Sequence, residues 1–375
     1  MVSQAGLFAT ATCLFVIAAI LARKSATHPA SYRHFQIAWG VILVGFLAYA
    51  IFSYLSIQDV ISNDPALAQE MGLDESSGSR GLLAIGLTLL TGIYLWLFVT
   101  NHHVRRVLLW AFPPASDEQP DYQNIPWEQQ ISGFDNRRVI HLYAAGLAQL
   151  FFFQTFIDFI IAGGQTGLAT IEFSQPEIVL SSILTAGMLL AVVGAGVGLG
   201  QDQTPSQVGL RLGLRWPGFT ELMAGIGIAV ILLAFQLGAG IVWFLLVPEE
   251  VFNQQTQVSQ AISGSVTSMV AALLVALFSS VGEEVAFRGA LQPVMGLWPT
   301  AILFALIHIQ YQLTPATLII LVVGLLLGLT RKYFGTVAAI TTHFFYNFTL
   351  LTIAVLANHF QDVLEPLMES GLLLR

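Results

Sequence analysis

Apolar segments long enough to cross a lipid bilayer recur along this chain, at about 5–22, 35–57, 81–100, 139–162, 178–200, 222–247, 263–286, 298–312, 315–331 and 335–357. A hydrocarbon core of ~30 Å asks for about 20 apolar residues per helical span, and that requirement limits the fold more than any other feature. A mean hydropathy of +0.75, with 55% hydrophobic and 10% charged residues, lies far outside the soluble range. The expectation is an all-α polytopic membrane protein of about ten transmembrane helices. The eighth segment is short unless it begins before Trp298.

Orientation follows from Lys and Arg, which gather in cytoplasmic loops. Arg23, Lys24 and Arg33 follow the first segment; Arg105, Arg106, Arg137 and Arg138 follow the third; Arg211 and Arg215 the fifth; Arg288 the seventh; Arg331 and Lys332 the ninth. Arg80 and Arg375 fall on the other side. The alternation supports ten crossings with both termini outside the cytoplasm. The opposite loops are acidic, with Asp59, Asp64, Glu70, Asp74 and Glu75 before the third segment and Glu249 and Glu250 after the sixth. The net charge of −8 therefore reflects few bases, and no nucleic-acid partner is expected.

Met1 to Gly6 lacks the basic region of a signal peptide, so the first segment is expected to stay as a membrane helix. Cys13 is the one cysteine, which excludes disulfides, thiolate metal sites and Cys–His catalysis. The chain divides near 200–221, where Pro205, Pro217 and Leu212 to Arg215 read as a short cytoplasmic link. Three regions are expected: residues 1–200, about five spans of unknown role; residues 201–360, a helical-bundle core carrying the chemistry; and residues 361–375, a polar tail. Phe112 to Asn136, rich in Pro, Asp, Glu and Gln, reads as an exposed irregular loop.

Ionisable groups inside a membrane are functional-site hypotheses by default, because burying each costs at least ~2.5 kcal/mol. Glu283 and Glu284 end the apolar run from Ser263 to Gly282. In a helix Glu284 and Arg288 share a face in the favourable order for pairing, while Glu283 points about 100° away. That assigns Glu284 to an ion pair and leaves Glu283 as general base, a partly desolvated carboxylate suited to taking a proton from water. Phe304 stands one turn before His308, and His343 one turn before Asn347. Glu283 with His308 can hold and activate a water, while His343 and Asn347 stabilise an oxyanion; such donors contribute roughly 3–4 kcal/mol each. That is amide hydrolysis.

These residues, Glu283-Glu284-Val-Ala-Phe-Arg288, Phe304-Ala-Leu-Ile-His308 and His343-Phe-Phe-Tyr-Asn347, resemble the three signatures of the CPBP intramembrane proteases. That family includes the type II CAAX prenyl endopeptidases and bacteriocin-processing or immunity membrane proteins. The resemblance covers roughly residues 205–357 and leaves the first five spans unexplained. It implies an intramembrane endopeptidase of glutamate or metallo type, with Glu283, His308, His343 and Asn347 catalytic and Glu284, Arg288 and Phe304 supporting them. It also implies a site several ångströms inside the cytoplasmic leaflet of a cell membrane, bacterial inner membrane being the expected location, and a membrane-associated protein or peptide as substrate. On this reading His308 lies roughly 15 Å into its span, deeper than its partners.

Other readings compete. Glu283, His308 and His343 are also a zinc-compatible set, although they can activate water without metal. His343 and Asn347 can be interhelical hydrogen-bond glue, worth ~0.6 kcal/mol on average. His141 and Asp158 read as packing contacts, and His102 with His103 as an interfacial pair. There is no His-Glu-x-x-His zinc signature, no Gly-x-Gly-Asp, and Ser263-Gly-Ser265 lacks the rhomboid pattern. A non-proteolytic scaffold or regulator of another membrane protein is the alternative function. A proton-coupled transporter is a third, but paired broken helices of two inverted halves are not found.

Overall fold

A backbone in hydrocarbon must satisfy its own hydrogen bonds, which leaves helices or closed barrels. In the computed structural model this chain takes the first course. The structure describes residues 2–70, 73, 75–108, 133–135, 137–168, 174–308, 311 and 314–369. Asp74, most of the loop expected at Phe112 to Asn136, and the end of the tail at 370–375 with Arg375 lie outside the described residues. The N-terminal region holds α1 (Val2–Lys24), α2 (Pro29–Asn63), α3 (Pro65–Glu70), α4 (Glu75–Thr100), α5 (His102–Leu108), α6 (Val139–Ala162), α7 (Gly164–Leu168) and α8 (Gln175–Val197). Then come α9 (Pro205–Arg211), α10 (Phe219–Leu246), α11 (Glu249–Gly264) and α12 (Met269–Glu284). A π-helical turn, Val285–Leu291, continues α12 into α13 (Gln292–Met295), followed by α14 (Leu297–Leu306) and α15 (Ala316–Glu369).

The helix starts near the site are capped by side chains. Ser174 and Glu177 form a reciprocal capping box at α8, and Thr204 with Gln207 does the same at α9. Ser268 Oγ accepts the Ala271 N–H at 3.2 Å and so opens α12. The acidic pair Glu249 and Glu250, expected in a loop, instead fills the first turn of α11, where carboxylates suit the helix dipole.

Among the described residues, seven helices are long and apolar enough to cross a membrane, where ten spans were expected. The difference has three sources: α1 is not among the seven, α14 is ten residues, and two expected spans are joined in α15. Ten helical residues reach about 15 Å, too little to cross alone. Within α15, Gly335 has φ 87° and ψ 171°, a conformation open almost only to glycine, and it divides the helix into arms 316–334 and 336–369. Gly324 and Gly328 meet Arg288 and Gln292 in the same chain direction. His343, Asn347 and Asn358 meet Glu284, Ser279 and Gly264 in reverse. The arms therefore run opposite ways, and Gly335 is the reversal.

The two halves of the chain are packed together. Phe35 and Trp39 of α2 meet Tyr143 of α6 edge-on, Tyr143 Oη donates to the Phe15 carbonyl at 2.7 Å, and Val294 and Met295 from α13 join the same buried cluster. On the other side of the site, α8 and α12 touch so closely that a Cβ on Gly282 would stand 2.7 Å from the Ala186 Cα. Small residues at such a crossing let backbones approach, as is common between membrane helices.

Two of the charges assigned above to cytoplasmic loops are not loop charges. Arg288 and Arg331 are fully buried beside the site, at 0% and 1% exposure. Arg23, Arg138 and Arg211, from three loops placed on one side by the alternation, do line one cavity mouth together. Arg23 also grips Asp202 through two bonds of 2.9 and 2.8 Å, joining the end of α1 to the turn after α8. This pairing holds the Asp202 carboxyl below its usual range, chiefly through the Arg23 hydrogen bonds.

Candidate active site

Glu284 is the buried centre of the arrangement. Its Oε1 accepts from Arg288 Nη1 at 3.0 Å, the pairing expected from the four-residue spacing. The same oxygen accepts from His343 Nδ1 at 2.8 Å, a second partner that local spacing does not show. With Nδ1–H spent on the carboxylate, the tautomer of His343 is fixed, and a neutral ring presents Nε2 as an acceptor. Arg288 is tied further by Nη2 to the Gly324 carbonyl at 3.1 Å and lies over the Phe304 ring at 4.2 Å. A cation on an aromatic face and paired with a carboxylate is the arrangement that makes a buried charge tolerable.

The π-helical turn explains Arg331. Gln292 N–H reaches back five residues to the Phe287 carbonyl. By the same pattern the Arg288 carbonyl would take the N–H of residue 293, which is proline and has none. Arg331 Nε donates to that carbonyl instead, at 3.1 Å. Gln292 Nε2 reaches the Gly328 carbonyl at 2.9 Å, one turn beyond the contact Arg288 makes with Gly324. Arg331, Gln292 and the glycine pair on α15 were not found by sequence reasoning; Gly324-x-x-x-Gly328 is a small-residue pattern that marks such a helix contact.

Glu283 points elsewhere, as the helical geometry requires. Its Oε2 lies 3.9 Å from His308 Nε2 and has no hydrogen-bond partner among the described residues. That separation exceeds a direct hydrogen bond and is one a water can bridge. His308 is oriented by Nδ1 donating to the Phe304 carbonyl at 2.6 Å, which aims Nε2 at Glu283. Asn347 Nδ2 donates to Ser279 Oγ at 3.3 Å, leaving its second N–H for another acceptor. The structure thus brings Glu283 to His308 and Glu284 to Arg288 and His343.

The depth expected for His308 needs correction. The helix carrying Glu283 does not end near residue 286 but runs on to Met295, so Glu283 lies about 18 Å from that end. His308 lies about as far past Leu297, where the chain turns back, and the two side chains are level. His141, which lines the cavity that also reaches Glu283, accepts the Asp135 N–H through Nδ1 at 3.0 Å, and Asp158 accepts from Gln154 at 2.8 Å. His102 and His103 stack at 3.8 Å beside the start of α5.

A cavity of about 720 Å³ opens against Glu283. One wall is α6, with Tyr143, Leu147 and Phe151; another is α8, with Met188, Leu189 and Val192; Ala286, Phe287, Leu303 and Ile307 complete it. Its far end is polar, with Arg23, Arg138, Arg211, Gln203 and Gln207. The N-terminal region, without a role on sequence grounds, supplies two walls of this space. As for a metal, no three His, Cys, Asp or Glu side chains among the described residues stand together as a ligand set. The structure pairs Glu283 with His308 and holds His343 through Glu284.

An all-helical, multi-pass integral membrane protein with a buried carboxylate–histidine site is the class that this architecture defines. Within it, residues 265–349 match the family model of the type II CAAX prenyl endopeptidases, Rce1-like. The matched segment is less than a quarter of the chain, yet it contains Glu283, Glu284, Arg288, Phe304, His308, His343 and Asn347. The family is one of proteases, and the match bears out the resemblance drawn from the three motifs. No curated protein and no solved structure matches this chain.

Proposed function

We propose that this protein is an intramembrane endopeptidase that hydrolyses a peptide bond of a membrane-associated protein or peptide with a water activated by Glu283. The observation carrying this reading is the Glu283–His308 pair: two groups 3.9 Å apart, one on the wall of a large cavity, at mid-depth in a helix bundle. Glu283 takes a proton from the water as its oxygen bonds to the scissile carbonyl carbon. Asn347 Nδ2–H donates to the resulting oxyanion, beside the His343 ring that Glu284 orients through Nδ1. The proton held by Glu283 then passes to the nitrogen as the C–N bond breaks, releasing a carboxylate and an amine. Glu284 and Arg288 touch no reacting atom on this reading; they hold His343 and Phe304 in place. No step is routed through zinc.

The cavity mouth with Arg23, Arg138 and Arg211 belongs to the cytoplasmic side in this reading, because Lys and Arg gather there. The apolar walls suit a substrate with a lipid-like segment, and the family description makes a lipid-modified peptide the first substrate to try. The test is hydrolysis of such a peptide by the purified protein, with and without a chelator. Cleavage by wild type that survives the chelator and is lost in Glu283→Gln supports the reading. Equal cleavage by both proteins overturns it, and loss of activity to the chelator alone puts a metal in the mechanism. Intact binding without cleavage is the result expected of a scaffold.

A further inference from the structure

The cavity that reaches Glu283 is cationic at its far end and apolar along its length. Arg23 belongs to the last turn of α1, Arg138 caps the start of α6, and Arg211 closes α9. Three elements outside the matched segment thus each bring a guanidinium to the same end of one space. From Val197 to Thr185, α8 follows the cavity for about 18 Å at ~1.5 Å per residue. Thr185 stands at the level of Glu283, because its neighbour Ala186 touches Gly282. One leaflet of a ~30 Å hydrocarbon core is about 15 Å, so the cavity is one leaflet deep.

The cationic end is rich in donors. Arg23 donates to Asp202 through Nε and Nη2, and Arg138 holds Asp135 through Nε at 3.3 Å. A guanidinium has five N–H groups, so both residues keep others. Two carboxylates set against three guanidiniums leave an excess of positive charge. His141, 8% exposed, lines the cavity beside them. Its Nδ1 accepts the Asp135 N–H, so the neutral ring carries its proton on Nε2, and that N–H has no hydrogen bond among the described residues. Apolar walls do not select an occupant inside a membrane, where lipid tails are as apolar as leucine. The charged end does select, and it calls for an anion.

We infer that this cavity is a binding site for an anionic phospholipid, with its phosphate at Arg23, Arg138, Arg211 and His141 and one acyl chain running between α6 and α8 toward Glu283. Phosphate oxygens accept from guanidinium and imidazole N–H groups, and Arg suits them by geometry as well as charge. Basic pockets between transmembrane helices are known sites for anionic lipid head groups. A soluble anion would satisfy the arginines but leave the apolar walls of Leu147, Phe151, Met188 and Val192 uncovered. The assignment does not depend on the peptidase reading. Where that reading holds, a substrate has to displace this chain to reach Glu283.

The test uses the full chain purified in an uncharged detergent, with phosphatidylglycerol and phosphatidylcholine of identical chains compared by native mass spectrometry. Phosphatidylglycerol is expected to bind at least about tenfold more tightly. Arg138→Gln, at a side chain 48% exposed, is expected to weaken it about fivefold without changing phosphatidylcholine, and Arg138→Lys to restore most of the loss. Equal binding of the two lipids overturns the inference, and so does inorganic phosphate binding as tightly as phosphatidylglycerol. Position is read with phosphatidylglycerol carrying a diazirine near the end of one acyl chain. Crosslinks to Phe151, Met188 or Leu189 are expected, whereas crosslinks confined to outward residues such as Val44 and Leu245 overturn the site. No arm uses cleavage, so failure of the peptidase reading shows separately, as wild type no different from Glu283→Gln in turnover.

Discussion

Glutamine in place of Glu283 keeps the shape of the side chain and removes its ability to take a proton. Turnover in Glu283→Gln is expected to fall about 10²- to 10⁴-fold, the range of a lost general base, with thermal stability in detergent close to wild type because the side chain is 22% exposed. Glu284 behaves oppositely. Its removal as Glu284→Ala leaves Arg288 and His343 buried without their shared carboxylate, and breaking a buried pair from one side costs about 3–5 kcal/mol. The variant is expected to lose thermal stability sharply, and unaltered melting contradicts the pairing. These two neighbours were separable from sequence, since adjacent helical residues face different ways. The second partner of Glu284 was not, because His343 comes from a distant helix and no local spacing encodes that meeting.

At the scale of elements, Gly335 and the π-helical turn carry the geometry. Gly335→Ala puts a Cβ where φ is 87°, a strain of about 1–3 kcal/mol, and is expected to lower stability and activity together; tolerance of alanine there contradicts the reversal between the arms. Arg331→Met keeps bulk but leaves the Arg288 carbonyl without the donor that Pro293 cannot supply. A buried orphan of this kind costs about 1–3 kcal/mol, so reduced melting temperature with little change in KM is expected. The sequence made the helices legible through their apolar length, to the residue in α6. It misled where the seventh segment reads as ending near 286 with Arg288 in a loop; the helix runs on through a π turn and buries Arg288 on Phe304. The short α14 was legible as an anomaly at its eighth segment, but its meaning was tertiary. It brings His308 level with Glu283.

For the whole molecule, the N-terminal helices are part of the site, since α6 and α8 form walls of the cavity and α8 presses on α12 at Gly282. Nothing in a single sequence announces such packing, because Thr185, the polar residue that α8 brings to the cavity, is ordinary in a membrane helix. The Arg23–Asp202 pair joins the two regions at the surface. Because the Asp202 carboxyl is held below its usual range, its contribution is present above the unfolded value of about 3.9 and is lost as pH falls through the lowered folded value. Wild type and Asp202→Asn should therefore differ in melting by a constant small amount from pH 5 to 8 and converge in stronger acid. A difference that grows between pH 5 and 8 contradicts this assignment.

The central claim, that a water activated by Glu283 cuts peptide bonds inside the membrane, is tested most directly by exposing a pool of solubilised membrane proteins to purified wild type and to Glu283→Gln. New protein termini are then read by mass spectrometry. Termini produced by wild type and missing with Glu283→Gln are the predicted result. The same set of termini from both proteins, each shown to be folded, would contradict it.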